Sequence, residues 1–283
     1  MATRPTARGL GCLAVALLLV VLAAVAGVGL LLRGLGGPIP GQQRCVATAG
    51  DRSVALDLEQ SHLTSIIVGI SVRRGLAPRA ASIAMATVYQ ETGIRNLSYG
   101  DRDSVGLFQQ RPSQGWGTVE QLQDPYYATR KFYDALVKVD GWESGDINDV
   151  AQRVQRSGYP EAYRDHEADA RVLASVLTGN SPAGLTCLER EQEAGDADAL
   201  VAGMQKSLGK VRHTVEGSRV DVDASRAKLA WAYGHHAVAN AARYGVREVT
   251  VGDRTWRSSG EDLPAWETAV DPVARDRVVI TLR

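Results

Sequence analysis

Apolar and polar positions divide the chain into three regimes. From Leu10 to Leu32 the sequence LGCLAVALLLVVLAAVAGVGLLL runs for 23 residues without a charge. At about 1.5 Å of rise per residue, a helix over this run spans a hydrocarbon core of roughly 30 Å. In the middle of the chain, apolar positions recur at helical spacing. Leu58, Leu63, Ile66, Ile67 and Ile70 mark one amphipathic helix that stops at Gly75. Pro78 opens a second, which runs through RAASIAMATVYQET to Gly93, and further helical patterns cover 124–138, 147–157 and 160–178. No strand-like alternation stands out here, so this region is expected to be mainly α. Toward the C-terminus the pattern changes again. SRAKLAWAYGHHAVANAARYGV is helical, REVTVGDRTW reads as a hairpin around Gly252-Asp253, and RVVITL is a closing strand. This predicts a small α+β domain of its own.

Arg4 and Arg8 precede the apolar run and Arg33 follows it. That bias orients a single transmembrane anchor with its tail in the cytoplasm and the bulk of the chain outside. Ala24-Val25-Ala26 also resembles a signal-peptidase site, so a cleaved signal peptide is the competing reading. The apolar run continues past it to Leu32, which favours the anchor. The expected organisation is a cytoplasmic tail over 1–9, an anchor over 10–32, linkers over 33–44 and 188–200, and domains over 45–187 and 201–283.

Composition adds two constraints. Hydrophobic residues make up 45% and charged residues 23%, with 32 basic side chains against 32 acidic ones, a globular balance with no electrostatic reason to bind nucleic acid. Beyond Cys12 in the apolar run there are two cysteines, Cys45 and Cys187, one at each end of the helical region. An even pair in a translocated chain is most simply a disulfide, although two unrelated buried thiols would leave the same pattern. His235 and His236 are adjacent, so on a helix they diverge by about 100° and do not share a metal. No metal or cofactor is expected.

The stretch YQETGIRNLSYGDRDSVGLFQQRPSQGWG carries the candidate chemistry. Ile83, Ala84, Thr87 and Val88 precede Glu91 by eight, seven, four and three positions, so Glu91 shares their apolar helical face. A carboxylate there is costly to ionise, which suits a general acid; a helix-end glutamate making a structural hydrogen bond would occupy the same position. After it come Asp101 and Asp103, the flexible Gly106, and the uncharged amides of Gln109 and Gln110. The aromatic residues Tyr99, Trp116, Tyr126 and Tyr127 lie nearby in sequence. Uncharged hydrogen-bonding groups beside aromatic faces suit a glycan.

ETG at a helix end, followed by SVGLFQQ, resembles the two leading motifs of the lysozyme-like superfamily of soluble lytic transglycosylases and goose-type lysozymes. Thr92 replaces the family's serine and Phe108 its methionine. The third motif, Ala-Tyr-Asn-x-Gly, is absent, and AQRVQRSGYPEAY stands in its place. The pairing of VQRSGYPEAY with GLFQQRPSQGWG looks most like wall-acting lysozyme-like domains of actinobacteria. The resemblance implies a peptidoglycan glycosidase, a muramidase or lytic transglycosylase, with Glu91 as catalytic acid and then base. It implies glycan contacts from Thr92, Ser104, Gly106, Leu107, Phe108 and Gln109, with Gln155 in the place of the asparagine and Tyr163 matching the late tyrosine. The partner it implies is the peptidoglycan strand. A non-catalytic wall-binding or scaffold protein is the alternative, supported by the altered third motif, whereas a transport role is disfavoured because one helix cannot enclose a polar path.

Overall fold

A computed structural model of the protein describes residues 42–156, 161–190 and 193–283. The chain enters through a hairpin, β1 (Arg44–Ala49) and β2 (Arg52–Leu56), whose two-residue loop places Gly50 in the left-handed region at φ 63°. A distant strand, β3 (Leu185–Leu188), pairs on the other side of β1, giving an antiparallel sheet of order β2-β1-β3. Cys45 stands directly opposite Cys187 in that pairing, and the two form a disulfide with 3.9 Å between their Cα atoms.

Helix α1 (Leu58–Arg73) starts at Asp57. Asp57 Oδ1 accepts from the Gln60 N–H at 2.9 Å, and Gln60 Oε1 accepts from the Asp57 N–H at 2.9 Å, a reciprocal cap. Buried positions run almost all round α1, including Leu63, Ser65, Ile67, Gly69 and Ser71. A helix buried on every side is a central one. On one side it meets α2 (Pro78–Thr92) and α4 (Pro125–Leu136), which follows the short α3 (Val119–Gln123). α2 packs in turn on α5 (Ile147–Gln155) and α6 (Glu167–Leu177).

On its other side α1 meets the C-terminal elements α7 (Ala197–Leu208) and α8 (Ala227–Ala239). The α1–α7 approach is close: a Cβ on Gly69 would lie 2.9 Å from Ser207 Cβ. After α7 come β4 (Arg212–Glu216) and β5 (Arg219–Asp223). After α8 come α9 (Ala241–Tyr244), β6 (Val246–Val251), β7 (Arg254–Arg257), β8 (Glu267–Thr268) and β9 (Arg277–Leu282). These strands make a second antiparallel sheet of order β4-β5-β9-β6-β7-β8, with α8 against β6 and β9.

The expectation of a mainly α fold is overturned. The described residues are α+β, with two antiparallel sheets, one of them built by the ends of the helical region itself. The first sheet escaped notice because β1 and β2 place alanines where larger β-branched residues signal a strand, and β3 is only four residues long. Nor does the C-terminal segment stand apart: Gln43–Arg283 form one compact unit. Asn240 at the end of α8 ties this segment to α1, with Oδ1 2.5 Å from His62 Nδ1 and Nδ2 donating to Ser65 Oγ at 2.9 Å. The apolar run at 10–32 and the anchor expected over it lie outside the described residues. Among the described residues no helix is long and apolar enough to cross a membrane.

Candidate active site

Glu91 occupies the last turn of α2. The helix stops at Gly93, which adopts φ 60°; its N–H donates to Tyr89 O and the Ile94 N–H to Val88 O, closing the final turn. Ile94 also sits at φ 61°, unusual for a β-branched residue, and its fully buried side chain holds the chain in that turn. Ile83, Ala84, Thr87 and Val88 are buried as their spacing predicts, but Glu91 one turn on is only half-buried, at the wall of an open cleft.

Thr92 does not face that cleft as a free ligand. Its hydroxyl lies 3.0 Å from Leu107 O and 3.1 Å from Val88 O, and it accepts from the Arg95 N–H at 3.2 Å. It therefore binds the helix end to the GLFQQ loop. That loop turns between Val105 and Gln110, where the Val105 N–H donates to Gln110 O at 3.1 Å. Gly106 is required at φ 78°, since a Cβ there would lie 2.3 Å from Leu122 O. Leu107 and Phe108 are fully buried anchors, with Phe108 stacked on Phe132 at 4.5 Å between ring centroids.

Ser104 and Gln109 close the loop on itself. Ser104 Oγ sits 3.0 Å from Gln109 Oε1 and donates to Asp101 O at 2.8 Å. Gln109 Nε2 lies 3.2 Å from both Tyr99 O and Gly106 O. Of the six glycan contacts expected from residues 92 to 109, only Ser104 and Gln109 line the cleft, with most of their polar atoms already engaged.

The segment AQRVQRSGYPEAY converges on Glu91 through Gln155 and Tyr163. Gln155, at the end of α5, donates from Nε2 to Glu91 Oε1 at 3.2 Å and to Phe108 O at 2.8 Å. The Tyr163 hydroxyl donates to the same Oε1 at 2.7 Å. Tyr163 is fully buried, and its backbone N–H donates to Oδ1 of buried Asn148 at 3.2 Å. Beside it Tyr89 stacks on His166 at 5.3 Å, and burial pushes the Tyr89 hydroxyl up to about 12, with the charge of Asp169 adding to the shift. Both hydrogen bonds thus go to one carboxylate oxygen. Among the described residues Oε2 takes none, and Glu91 itself lines the cleft.

The cleft encloses about 450 Å³ and is lined by Glu91, Asp101, Arg111, Trp116, Gln155 and Arg156, among others. Two carboxylates flank Glu91 in the sequence, and neither is oriented like a nucleophile. Asp103 accepts from the Ser113 N–H at 2.8 Å and contacts the Ser113 hydroxyl and the Arg111 guanidinium; these three donors hold its carboxyl well below the usual range. Asp101 is almost fully exposed, 3.8 Å from Arg102. Of the aromatic residues expected to offer sugar platforms, Trp116 lines the cleft. Tyr126 is instead buried, with Lys206 Nζ 3.8 Å over its ring.

Gln110, the second of the two amides expected to suit a glycan, is 2% exposed; its Nε2 donates to Ala128 O at 3.3 Å, and its buried Oε1 has no partner among the described residues. Arg111 and Arg156 bring positive charge to the rim from separate loops, which no local spacing signals. No protein-family model and no curated protein matches the sequence.

Proposed function

We propose that this chain is a peptidoglycan glycosidase, a muramidase or lytic transglycosylase, acting outside the cytoplasm and tethered to the membrane through the apolar run at 10–32. Glu91 delivers a proton from Oε2 to the glycosidic oxygen between N-acetylmuramic acid and N-acetylglucosamine, then takes one back from the group that attacks the sugar. The observation that carries this reading is the one-sided anchoring of the carboxylate: Tyr163 and Gln155 both hold Oε1 of a Glu91 that lines the cleft, which leaves Oε2 as the oxygen to carry the proton.

In this reading Gln155 orients the acid rather than the sugar, because its amide is already shared between Glu91 and Phe108 O. The resemblance of ETG and SVGLFQQ to the lysozyme-like superfamily supports the same assignment. Digestion of purified sacculi by the protein, with mass spectrometry of the released muropeptides, tests it. Anhydro ends indicate attack by the sugar's own hydroxyl, and reducing ends indicate attack by water. Binding without release assigns the protein to the wall-binding class.

A further inference from the structure

The cleft does not end at Arg156. Gln114, Trp116, Gln155 and Arg156 form its far wall and also the near wall of a second, larger groove of about 830 Å³. Four cations line that groove: Lys131, Lys138, Arg153 and Arg156. Lys138, Arg153 and Arg156 are exposed, and Arg153 donates only from Nη1 to Asp140 O at 3.0 Å. Asp134 is the one carboxylate among the described lining residues. Its Oδ1 accepts from Arg74 at 2.8 Å, while the side chain stays half open to solvent. In a chain of net charge zero this is a local excess of positive charge. The groove also carries aliphatic surface from Val137, Val139 and Val154, and Val137 is 39% exposed.

The geometry points to a binding groove for the peptide stem of a wall glycan strand, directly beside the acid and sharing Gln155 with it. This rests on the glycan reading of the adjoining cleft. With its lactyl carboxyls tied up as amides to the stems, the sugar backbone of such a strand is neutral and gives four cations nothing to pair with. A stem is a short peptide of small aliphatic residues carrying free carboxylates and, at a diamino residue, an ammonium group. Carboxylates match the lysines and arginines, methyl groups match the valines, and the ammonium matches the open oxygen of Asp134. A phosphodiester polymer is uniformly anionic and would find Asp134 repulsive and the valines irrelevant.

The test measures binding rather than turnover. Glu91→Gln protein is titrated with three probes: glycan fragments bearing tetrapeptide stems, the same fragments stripped of peptide by an amidase with each freed lactyl carboxylate capped as its methylamide so that the sugar stays uncharged, and a polyglycerol-phosphate chain. The stem-bearing fragment should bind about tenfold more tightly than the stripped one, a gain of the size expected for a few exposed charge pairs. The preference should shrink in about 1 M salt, where the Debye length is about 3 Å. Lys138→Gln/Arg153→Gln, two surface changes checked by melting temperature, should abolish the preference and leave affinity for stripped glycan unchanged. Equal binding of stem-bearing and stripped fragments, or a preference that survives the double substitution, overturns the proposal. So does phosphate-polymer binding that exceeds stem binding and vanishes in the variant. Because turnover is not read, an inactive wild-type protein would count against the glycosidase reading alone, and failure to bind either glycan fragment against both.

Discussion

Tyr163 donates its hydroxyl proton to Glu91 Oε1 at 2.7 Å across 72 residues of sequence, from a fully buried ring to a half-exposed carboxylate. The arrangement leaves Oε2 of Glu91 as the oxygen to carry the proton. It also explains why Asn148, inside the helix before Tyr163, spends its carbonyl oxygen on the Tyr163 backbone.

Tyr163→Phe removes that hydrogen bond and keeps the ring. A hydrogen bond to a charged group is worth about 1.5–3 kcal/mol, so if the carboxylate's orientation matters to turnover, the rate of muropeptide release should fall about 10- to 100-fold. The melting temperature should also fall by several degrees, since the same bond stabilises the fold, while the circular dichroism should be unchanged because the ring packing is retained. A rate equal to wild type would show that Tyr163 does not orient the acid.

Glu91→Gln is expected to remove essentially all release, a loss of about 10² to 10⁴-fold or more. Its amide oxygen can still accept from Tyr163 and Gln155, so the helix end should stay intact. Near-wild-type digestion by this variant would eliminate Glu91 as the acid, and retained sacculus binding would confirm that the protein is folded.

Gly106→Ala probes the loop rather than the chemistry. The substitution forces a Cβ to 2.3 Å from Leu122 O at a backbone φ of 78°. The expected cost is about 2–4 kcal/mol in urea unfolding, from strain and displacement of α3 together. A loss under about 0.5 kcal/mol would mean that the loop yields easily there.

These contacts show where sequence reading works in this chain and where it fails. Glu91 was placed by helical periodicity and by the Gly93 stop, both local signals. Its two hydrogen-bond donors come from residues 155 and 163, 64 and 72 positions away in sequence, so only tertiary packing reveals that they meet on one oxygen. The first sheet was invisible because its pairing joins residue 45 to residue 187, and its strands are too short or too alanine-rich to alternate clearly. β4 was hidden for another reason: RHTVE at a sheet edge is almost wholly exposed and has only one aliphatic side chain to mark it. The basic groove was equally unreadable, since its cations arise from the α4 region and from the end of α5 and gather only in the fold.

The Cys45–Cys187 disulfide closes a loop with a sequence separation of 142 and ties β1 to β3. In the chain-entropy account such a closure stabilises by about 5 kcal/mol, and by less where the reduced state keeps structure. Cys45→Ser/Cys187→Ser should therefore lower the urea midpoint strongly while preserving the helical circular dichroism at low urea. Thiol labelling of the folded wild type without reductant should modify neither cysteine.

His235 and His236 are 0% and 3% exposed. Burial pushes His235 down to about 4, against the pull of Val176 O, and pushes His236 down to about 3, with the charge of His62 adding to the shift. His62 itself is lowered, chiefly by burial. An unfolded histidine titrates near 6.5, so between that value and the folded values the unfolded chain binds the extra protons. Stability is therefore complete above about pH 6.5 and is lost as pH falls toward 4, at up to about 1.4 kcal/mol per pH unit for each buried histidine. Ordinary carboxylates are half-titrated near pH 4 and begin to protonate about a unit above it, and burial raises Glu189, so the window from about pH 6.5 to 5.5 reports chiefly on the histidines. Urea unfolding across that window should show stability falling with acid in the wild type. His236→Gln should fall less steeply, by about 1.4 kcal/mol per unit, whatever its stability at pH 7. Parallel slopes for the two proteins would mean that His236 is not held neutral between α7 and α8.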